Sequence, residues 1–247
     1  MSTSPDSAGS PDFATTQWSL VLRAHCTSDS AVGALQTLCE RYWYPLYAYV
    51  RRRGFDSHAA QDLTQAFFAR LLEKNTLAAA SPDRGRFRAF LLTSLKNFLT
   101  NEWEKEQTLK RGGGQRPLSL QLNLDAAESR LHLEPAHALT PERLFERQWA
   151  LQLLELVMNR LQAEQAAAGK ETLFQHLKDA LTAGADRLPY PAIAAELQIS
   201  EEAARQAASR LRKRYRELMR EEVSQTVATP ADVDDEIRSL FHVLAGA

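Results

Sequence analysis

Residues 190–219 read YPAIAAELQISEEAARQAASRLRKRYRELM, a pattern that predicts a short helix, a tight turn and a longer second helix. The first helix has an apolar face around Ile193, and the turn falls at Gln198 and Ile199. Ser200 is a favourable N-cap, and the acidic residues that follow it suit the positive end of a helix dipole. In the second helix, small and apolar residues recur at steps of three and four and mark a buried stripe: Ala204, Ala207, Leu211, Tyr215 and Leu218. The spacing predicts a helix-turn-helix unit.

The second helix of this unit is strongly basic. Its outward side carries Arg205, Gln206, Ser209, Arg212, Lys213 and Arg216, and its seven cations are Arg205, Arg210, Arg212, Lys213, Arg214, Arg216 and Arg220. A helix of this kind fits a DNA major groove, where cations neutralise phosphates and residues near the helix start reach base edges. The alternative interpretation is that a basic amphipathic helix is only a solvated surface.

The composition of the 247-residue chain is that of an ordinary soluble protein, with 44% hydrophobic and 25% charged residues. The formal net charge of −1 does not exclude a local basic patch. Cys26 and Cys39 are too few and too far apart for a disulfide framework or a metal site. No apolar run reaches transmembrane length and no hydrophobic signal core is present, so we expect a cytoplasmic protein.

Helical periodicity without any strand-like stretch predicts an all-α fold in two lobes. Helices are expected at about 31–53, 57–73, 86–109 and 141–161, with Pro45 bending or interrupting the first and Gly54 capping it. The predicted organisation begins with a disordered tail at 1–14 and a first lobe at 15–111, followed by a helix-poor linker at 112–140. A helix-turn-helix lobe at 141–222 comes next, and a C-terminal extension at 223–247 ends in a short acidic amphipathic helix.

Cations and aromatic residues alternate along the predicted helix at 86–109, and this pattern suits single-stranded nucleic acid because rings stack on bases while cations hold phosphates. The candidate contacts are Arg84, Arg86, Phe87, Arg88, Lys96, Asn97 and Asn101. The alternative is that the phenylalanines of this helix belong to the core.

Three motifs in this order resemble the bacterial RNA polymerase sigma-70 family, specifically its extracytoplasmic-function (ECF) subfamily. The resemblance covers Leu35–Arg111 as the second conserved sigma region and Pro141–Glu222 as the fourth. The motif DLTQAFF at 62–68 looks like the helix that docks on the polymerase clamp. The motif FRAFL at 87–91 looks like the segment that melts and reads the −10 promoter element, and ISEEAARQ at 199–206 looks like the start of the helix that reads the −35 element.

The resemblance implies a sigma factor whose partners are core RNA polymerase and promoter DNA, without catalytic residues or a cofactor. Docking would fall to Asp62, Thr64 and Gln65. Recognition of the −10 element would fall to the seven candidate contacts named above, from Arg84 to Asn101. Recognition of the −35 element would fall to Ser200, Arg205, Gln206, Ser209, Arg210, Arg212, Lys213 and Arg216.

Two departures from the family pattern raise the question of regulation. The docking helix has lost most of its acidity and keeps only Asp62, while Thr64 lies one helical step away, so phosphorylation by a Ser/Thr kinase could restore the missing charge. A Thr tolerated on a helix surface is the simpler alternative. The acidic extension after Glu222 could fold over the basic recognition helix, engage a partner such as an anti-sigma factor, or merely cap the fold.

Two rival functions stay open at this point. A helix-turn-helix regulator would bind duplex DNA without polymerase, as a dimer with half-sites one helical turn apart. A helical interaction module would bind no DNA, and its Arg205, Lys213 and neighbouring cations would pair with acids inside the fold. An enzyme is the least favoured class, because the six histidines are scattered singly and no phosphate-binding loop or metal-ligand motif is present.

Overall fold

The computed structural model describes residues 29–73, 86–108, 123–134, 139–181 and 189–246. Within these residues the protein is all-α, as predicted, and no strand occurs. Two short 3₁₀ turns, Lys178–Leu181 and Pro230–Asp232, accompany the α-helices. The helices are α1 (Asp29–Arg52), α2 (Ser57–Glu73), α3 (Phe87–Thr108), α4 (Leu124–His132), α5 (Pro141–Ala167), α6 (Glu171–Leu177), α7 (Tyr190–Glu196), α8 (Glu201–Ser224) and α9 (Val233–Ala245). The expected N-terminal tail lies outside the described residues.

Helix α1 runs through Pro45 without a break, so of the two predicted effects of the proline, a bend or an interruption, the interruption does not occur. Tyr42, Leu46 and Tyr49 are completely buried on either side of the proline. Proline removes one intrahelical hydrogen bond, and the burial of three large side chains in the same helix outweighs this loss. Gly54 has a φ of 99°, the left-handed conformation that suits glycine after a helix C-terminus, as its predicted capping role requires.

The connection between the two lobes contains a helix, so its description as helix-poor was wrong at α4. The Asn123 side chain caps α4 by accepting a hydrogen bond from the Ala126 N–H at 3.0 Å. Glu128 then anchors the helix to α1, because its two carboxylate oxygens accept from the Arg51 guanidinium at 2.8 Å each. This paired geometry is the strong form of a carboxylate–arginine contact. A contact so distant in sequence stabilises a nine-residue helix that would be marginal alone.

The two predicted lobes pack against each other around one hydrophobic core. Helix α1 of the first lobe lies along α5 of the second, and α5 in turn packs on α8 and α9. An ion pair spans the lobes: Arg41 on α1 meets Glu222 near the end of α8 at 3.0 Å, and Arg160 on α5 pairs with the same buried carboxylate. The DNA-contact candidates of the first lobe therefore lie close to helices of the second.

Candidate nucleic-acid interface

The helix-turn-helix forms as its sequence predicts. Helix α7 ends at Glu196, and Gln198 takes a positive φ of 53° in the turn. The Ser200 hydroxyl then accepts a hydrogen bond from the Ala203 N–H at 3.1 Å and caps α8. The predicted stripe of α8 faces the core: Ala204, Ala207, Leu211 and Leu218 are buried and Tyr215 is half-buried. Local signals alone are sufficient for this unit because cap, turn and stripe lie within thirty residues of each other.

The outward side of α8 is exposed along its first four turns. Arg205, Gln206, Ser209, Arg210, Lys213 and Arg216 are all exposed, and Arg212 is half-buried. Within the described residues, no hydrogen bond or ion pair engages the side chains of Arg210 and Lys213. Exposed cations without an internal partner are available to bind phosphates. We call the exposed residues of this paragraph the α8 face.

Neighbouring side chains orient the first residues of the α8 face. The Arg205 guanidinium donates to Glu201 at 3.1 Å and lies 4.9 Å from the centre of the Tyr190 ring. Gln206 donates to Glu202 at 3.0 Å. These contacts hold both side chains at the helix start, which is the part of a recognition helix that reaches base edges.

Two of the seven cations of α8 form ion pairs with carboxylates on other described helices. Arg214 donates to both carboxylate oxygens of Glu164 on α5, at 2.7 and 2.8 Å, and also contacts Glu217 and Glu221. Arg220 pairs with Asp234 on α9. These pairs fix α8 to its neighbours, and neither arginine is among the residues predicted to contact −35 DNA. The interaction-module alternative predicted that Arg205, Lys213 and neighbouring cations pair with acids inside the fold. Arg214 and Arg220 do so across helices and Arg205 within its own helix, whereas Lys213 has no such pair among the described residues.

At the start of α3, Phe87 is a core residue and the prediction that it contacts −10 DNA does not fit its position. The ring is completely buried, and its centre lies 5.3 Å from that of Tyr42 in an edge-to-face arrangement. The Phe87 N–H donates to the Thr226 carbonyl at 3.1 Å, which ties the first turn of α3 to the segment after α8. The alternative assignment to the core was the correct one.

Arg88 is also buried, with only 3% of its surface exposed. Its guanidinium contacts Glu146 on α5 at 2.5 Å, pairs with Glu236 on α9 and lies 4.4 Å from the centre of the Trp149 ring. Burial lowers the pKa of Arg88, and the Glu146 carboxylate opposes this shift. The expectation of an exposed DNA contact was wrong for Arg88 in this conformation, because two carboxylates from the second lobe and the extension surround it.

The remaining −10 candidates differ in their surroundings. Arg86 is part-exposed and pairs with Glu236 at 2.7 Å. Lys96 pairs with Glu142 on α5 at 2.8 Å. Asn97 and Asn101 line a shallow pocket between α2 and α3, together with Phe67, Arg70, Leu71, Ser94 and Phe98. Arg84 lies outside the described residues.

Comparison with family models finds a match over part of the chain. Residues 38–108 match the family model Sigma-70 region 2. The matched segment contains most of α1 and the whole of α2 and α3, and it is this part of the chain that is similar to sigma-70 proteins. No curated protein and no solved structure matches the chain. The helix-turn-helix lies outside the matched segment and rests on its own geometry.

Within sigma-70 region 2, only one of the three docking candidates is exposed. Asp62 on α2 faces solvent, whereas Gln65 is buried. Thr64 is completely buried, and its hydroxyl donates to the Ala60 carbonyl at 2.7 Å. The interpretation of Thr64 as a surface residue was therefore wrong, and a kinase could reach its hydroxyl only after the helices around α2 separate.

The acidic partners of the region 2 cations were not predicted. Glu142, Glu146 and Glu236 all lie outside region 2, on α5 and α9. One signal was available in the sequence: Val233, Glu236 and Leu240 share the spacing of a buried stripe, and a Glu in such a stripe indicates a buried cationic partner. No comparable signal marks Glu142 or Glu146.

In the described part of the chain, no group of three or more His, Cys, Asp or Glu side chains is arranged to hold a metal ion. None of the described helices combines the length and apolar character that crossing a bilayer requires.

Proposed function

We propose that this protein is an ECF-type sigma factor, which binds core RNA polymerase and directs promoter recognition and DNA melting. One observation carries the proposal: a sigma-70 region 2 segment and a helix-turn-helix with an exposed basic face occur in the same chain, in the order that sigma factors require. The proposed role is exercised in the cytoplasm, and it needs no catalytic residue and no cofactor.

In the proposed mechanism the α8 face enters the major groove of the −35 element. Arg205, Gln206 and Ser209 would contact base edges, while Arg210 and Lys213 would hold phosphates. The exposed side chains of Arg210 and Lys213 support this assignment, since a cation without an internal partner releases counterions when it meets a phosphate.

Melting of the −10 element is assigned to α3 and the segment before it. Unstacking a base costs a few kcal/mol, and contacts to the extruded base and its phosphates offset this cost. Asn97 and Asn101 are suited to the base because their amides are exposed at the mouth of the pocket between α2 and α3. Arg86 and Arg88 are suited to the phosphates, but only once their present carboxylate partners are displaced.

Docking on polymerase is assigned to α2, with Asp62 as the exposed charge. A Ser/Thr kinase and an anti-sigma factor are the proposed regulators of this step. Phosphorylation of Thr64 would add a charge of about −1.5 to −2 to a completely buried position, so it would also force α2 away from its neighbours.

The test is a binding and transcription experiment with purified core RNA polymerase. The full chain is expected to be retained by core polymerase and to direct transcripts from a library of random promoter sequences. The matched control is the Arg210→Ala variant, which should keep polymerase binding and lose most transcripts. If the chain binds duplex DNA as a dimer and core polymerase never retains it, the helix-turn-helix regulator becomes the correct interpretation.

A further inference from the structure

The C-terminal helix α9 places a completely buried carboxylate between two arginines of region 2. Glu236 has no exposed surface, and its oxygens contact Arg86 at 2.7 Å and Arg88 at closer range. Ser239, one turn further along α9, accepts from Arg86 at 3.1 Å and from Arg88 at 3.5 Å. Both arginines belong to the segment assigned to −10 DNA.

Helix α9 is held in this position by contacts to the second lobe. Its apolar residues Val233 and Leu240 are buried in the common core, and Asp234 pairs with Arg220 of α8. The preceding segment contributes the Thr226 carbonyl, which accepts from the Phe87 N–H at 3.1 Å. The extension therefore connects the helix that would read −35 DNA to the helix that would open −10 DNA.

We propose that α9 is an intramolecular competitor of promoter DNA, with the Glu236 carboxylate occupying the position at Arg86 and Arg88 that a DNA phosphate takes in the open complex. This inference rests on the proposed function. In the free protein α9 blocks the −10 surface, and α9 must leave before region 2 binds the unpaired strand. The extension is thus an autoinhibitory element in addition to a cap on the fold.

The chemistry of the exchange favours a reversible block. A carboxylate and a phosphate are both anionic partners for guanidinium groups, so a DNA phosphate can replace Glu236 as the ion-pair partner of the two arginines. The block is local, because all six residues of the α8 face stay exposed while α9 is in place. Glu146 on α5 holds Arg88 from its other side and must also release it.

The decisive variant is Glu236→Gln, and the control is Asp235→Asn. Both remove one negative charge from α9, but Glu236 is buried against the two arginines whereas Asp235 is exposed and contacts only Arg238 within its own helix. The probe is a fluorescein-labelled pool of random single-stranded 20-mers, and affinity for the full chain is measured by fluorescence anisotropy at fixed salt.

The Glu236→Gln variant is expected to bind the single-stranded pool about tenfold more tightly than the parent. The Asp235→Asn variant should bind like the parent, because it changes the net charge by the same amount as Glu236→Gln but does not release Arg86 or Arg88. Adding Arg86→Gln to Glu236→Gln should remove most of the gain. Equal affinity of the two single variants would overturn the proposal, because the contact would then be structural only.

If Glu236→Gln does not fold, Ser239→Ala replaces it, because this change removes a hydrogen-bond acceptor of both arginines and leaves the carboxylate in place. It is expected to raise the affinity about twofold to threefold, a weaker form of the same coupling, and an unchanged affinity would overturn the proposal. Retention by core polymerase is measured in parallel. If core polymerase retains none of the variants while Glu236→Gln still binds the single-stranded pool more tightly than the parent, the sigma-factor function is excluded. The competition between α9 and single-stranded DNA is then still supported.

Discussion

The start of α3 and the α8 face are both rich in arginine but have opposite surroundings. Both were predicted to contact DNA. On the α8 face, Arg210 and Lys213 are exposed. At the start of α3, Arg88 is 3% exposed and contacts two carboxylates from distant parts of the chain.

The difference shows that the number of cations in a helix does not reveal which of them are available to contact DNA. Availability depends on the acids that the fold brings near, and for α3 these come from α5 and α9. For the proposed sigma factor it implies an order of events. The face proposed to read duplex DNA is accessible in the free protein, whereas Arg86 and Arg88 are released for phosphates only after the lobes and α9 rearrange.

The largest effect that follows from this contrast is on stability. Arg88→Ala should lower the free energy of unfolding by about 3 kcal/mol, the lower end for a broken buried ion pair, since the buried Glu236 keeps only Arg86 and the half-buried Glu146 loses its cation. Urea unfolding followed by circular dichroism gives the value. Arg205→Ala, on the exposed face, should leave the urea midpoint where it is in the parent. Similar midpoints for the two variants would mean that Arg88 is exposed in solution, and the contrast would disappear.

A smaller effect is expected from acid at the pair that ties α4 to α1, Arg51 and Glu128. Hydrogen bonds from Arg51 hold the pKa of Glu128 at about 2, below its usual 4.5. Because the folded-state pKa is depressed, the contribution of Glu128 is complete above about pH 4.5 and is lost as the pH falls towards 2. Glu128→Gln should therefore cost about 1–2 kcal/mol at pH 7, a value reduced by the partial hydration of the pair.

The cost of Glu128→Gln should shrink steadily between pH 4.5 and 2, the interval set by the two pKa values. Denaturant unfolding at a series of pH values measures it. Asp125→Asn, an exposed change on the same helix, provides the control and should show no such trend. A cost that is independent of pH would place the effect in packing of α4 and exclude the Arg51–Glu128 pair as its source.

The next effect is on the affinity of the protein for duplex DNA. Arg210→Ala should weaken binding of the full chain to duplex DNA several-fold and reduce the slope of log affinity against log salt by about 1, as expected for one lost phosphate contact. The matched control is Arg220→Ala on the same helix, whose side chain pairs with Asp234 and does not belong to the α8 face. If both variants lose the same affinity, the distinction between free and paired cations on α8 is wrong.

The parts of the molecule that the sequence predicts are those with local causes. The cap at Ser200, the turn at Gln198 and the stripe from Ala204 to Leu218 are all specified by near neighbours, and each forms as expected. Helix α4 was missed because its anchor is Arg51, far away in the sequence. Arg88 was misjudged for the same reason, since its burial depends on Glu146 and Glu236.

The smallest expected effect concerns Asp62, the one exposed docking candidate. Asp62→Asn should weaken binding to core RNA polymerase by about twofold, because a single exposed charge at an interface mainly changes the association rate. Surface plasmon resonance at low and high salt separates the two rates, and the loss should appear in association and fade as salt screens the charge. Glu171→Gln on α6, also exposed, removes one charge outside region 2 and should associate like the parent. Equal association rates for both variants would show that the charge of Asp62 does not contribute to docking. Docking through α2 would then require the buried candidates Thr64 and Gln65 to become exposed.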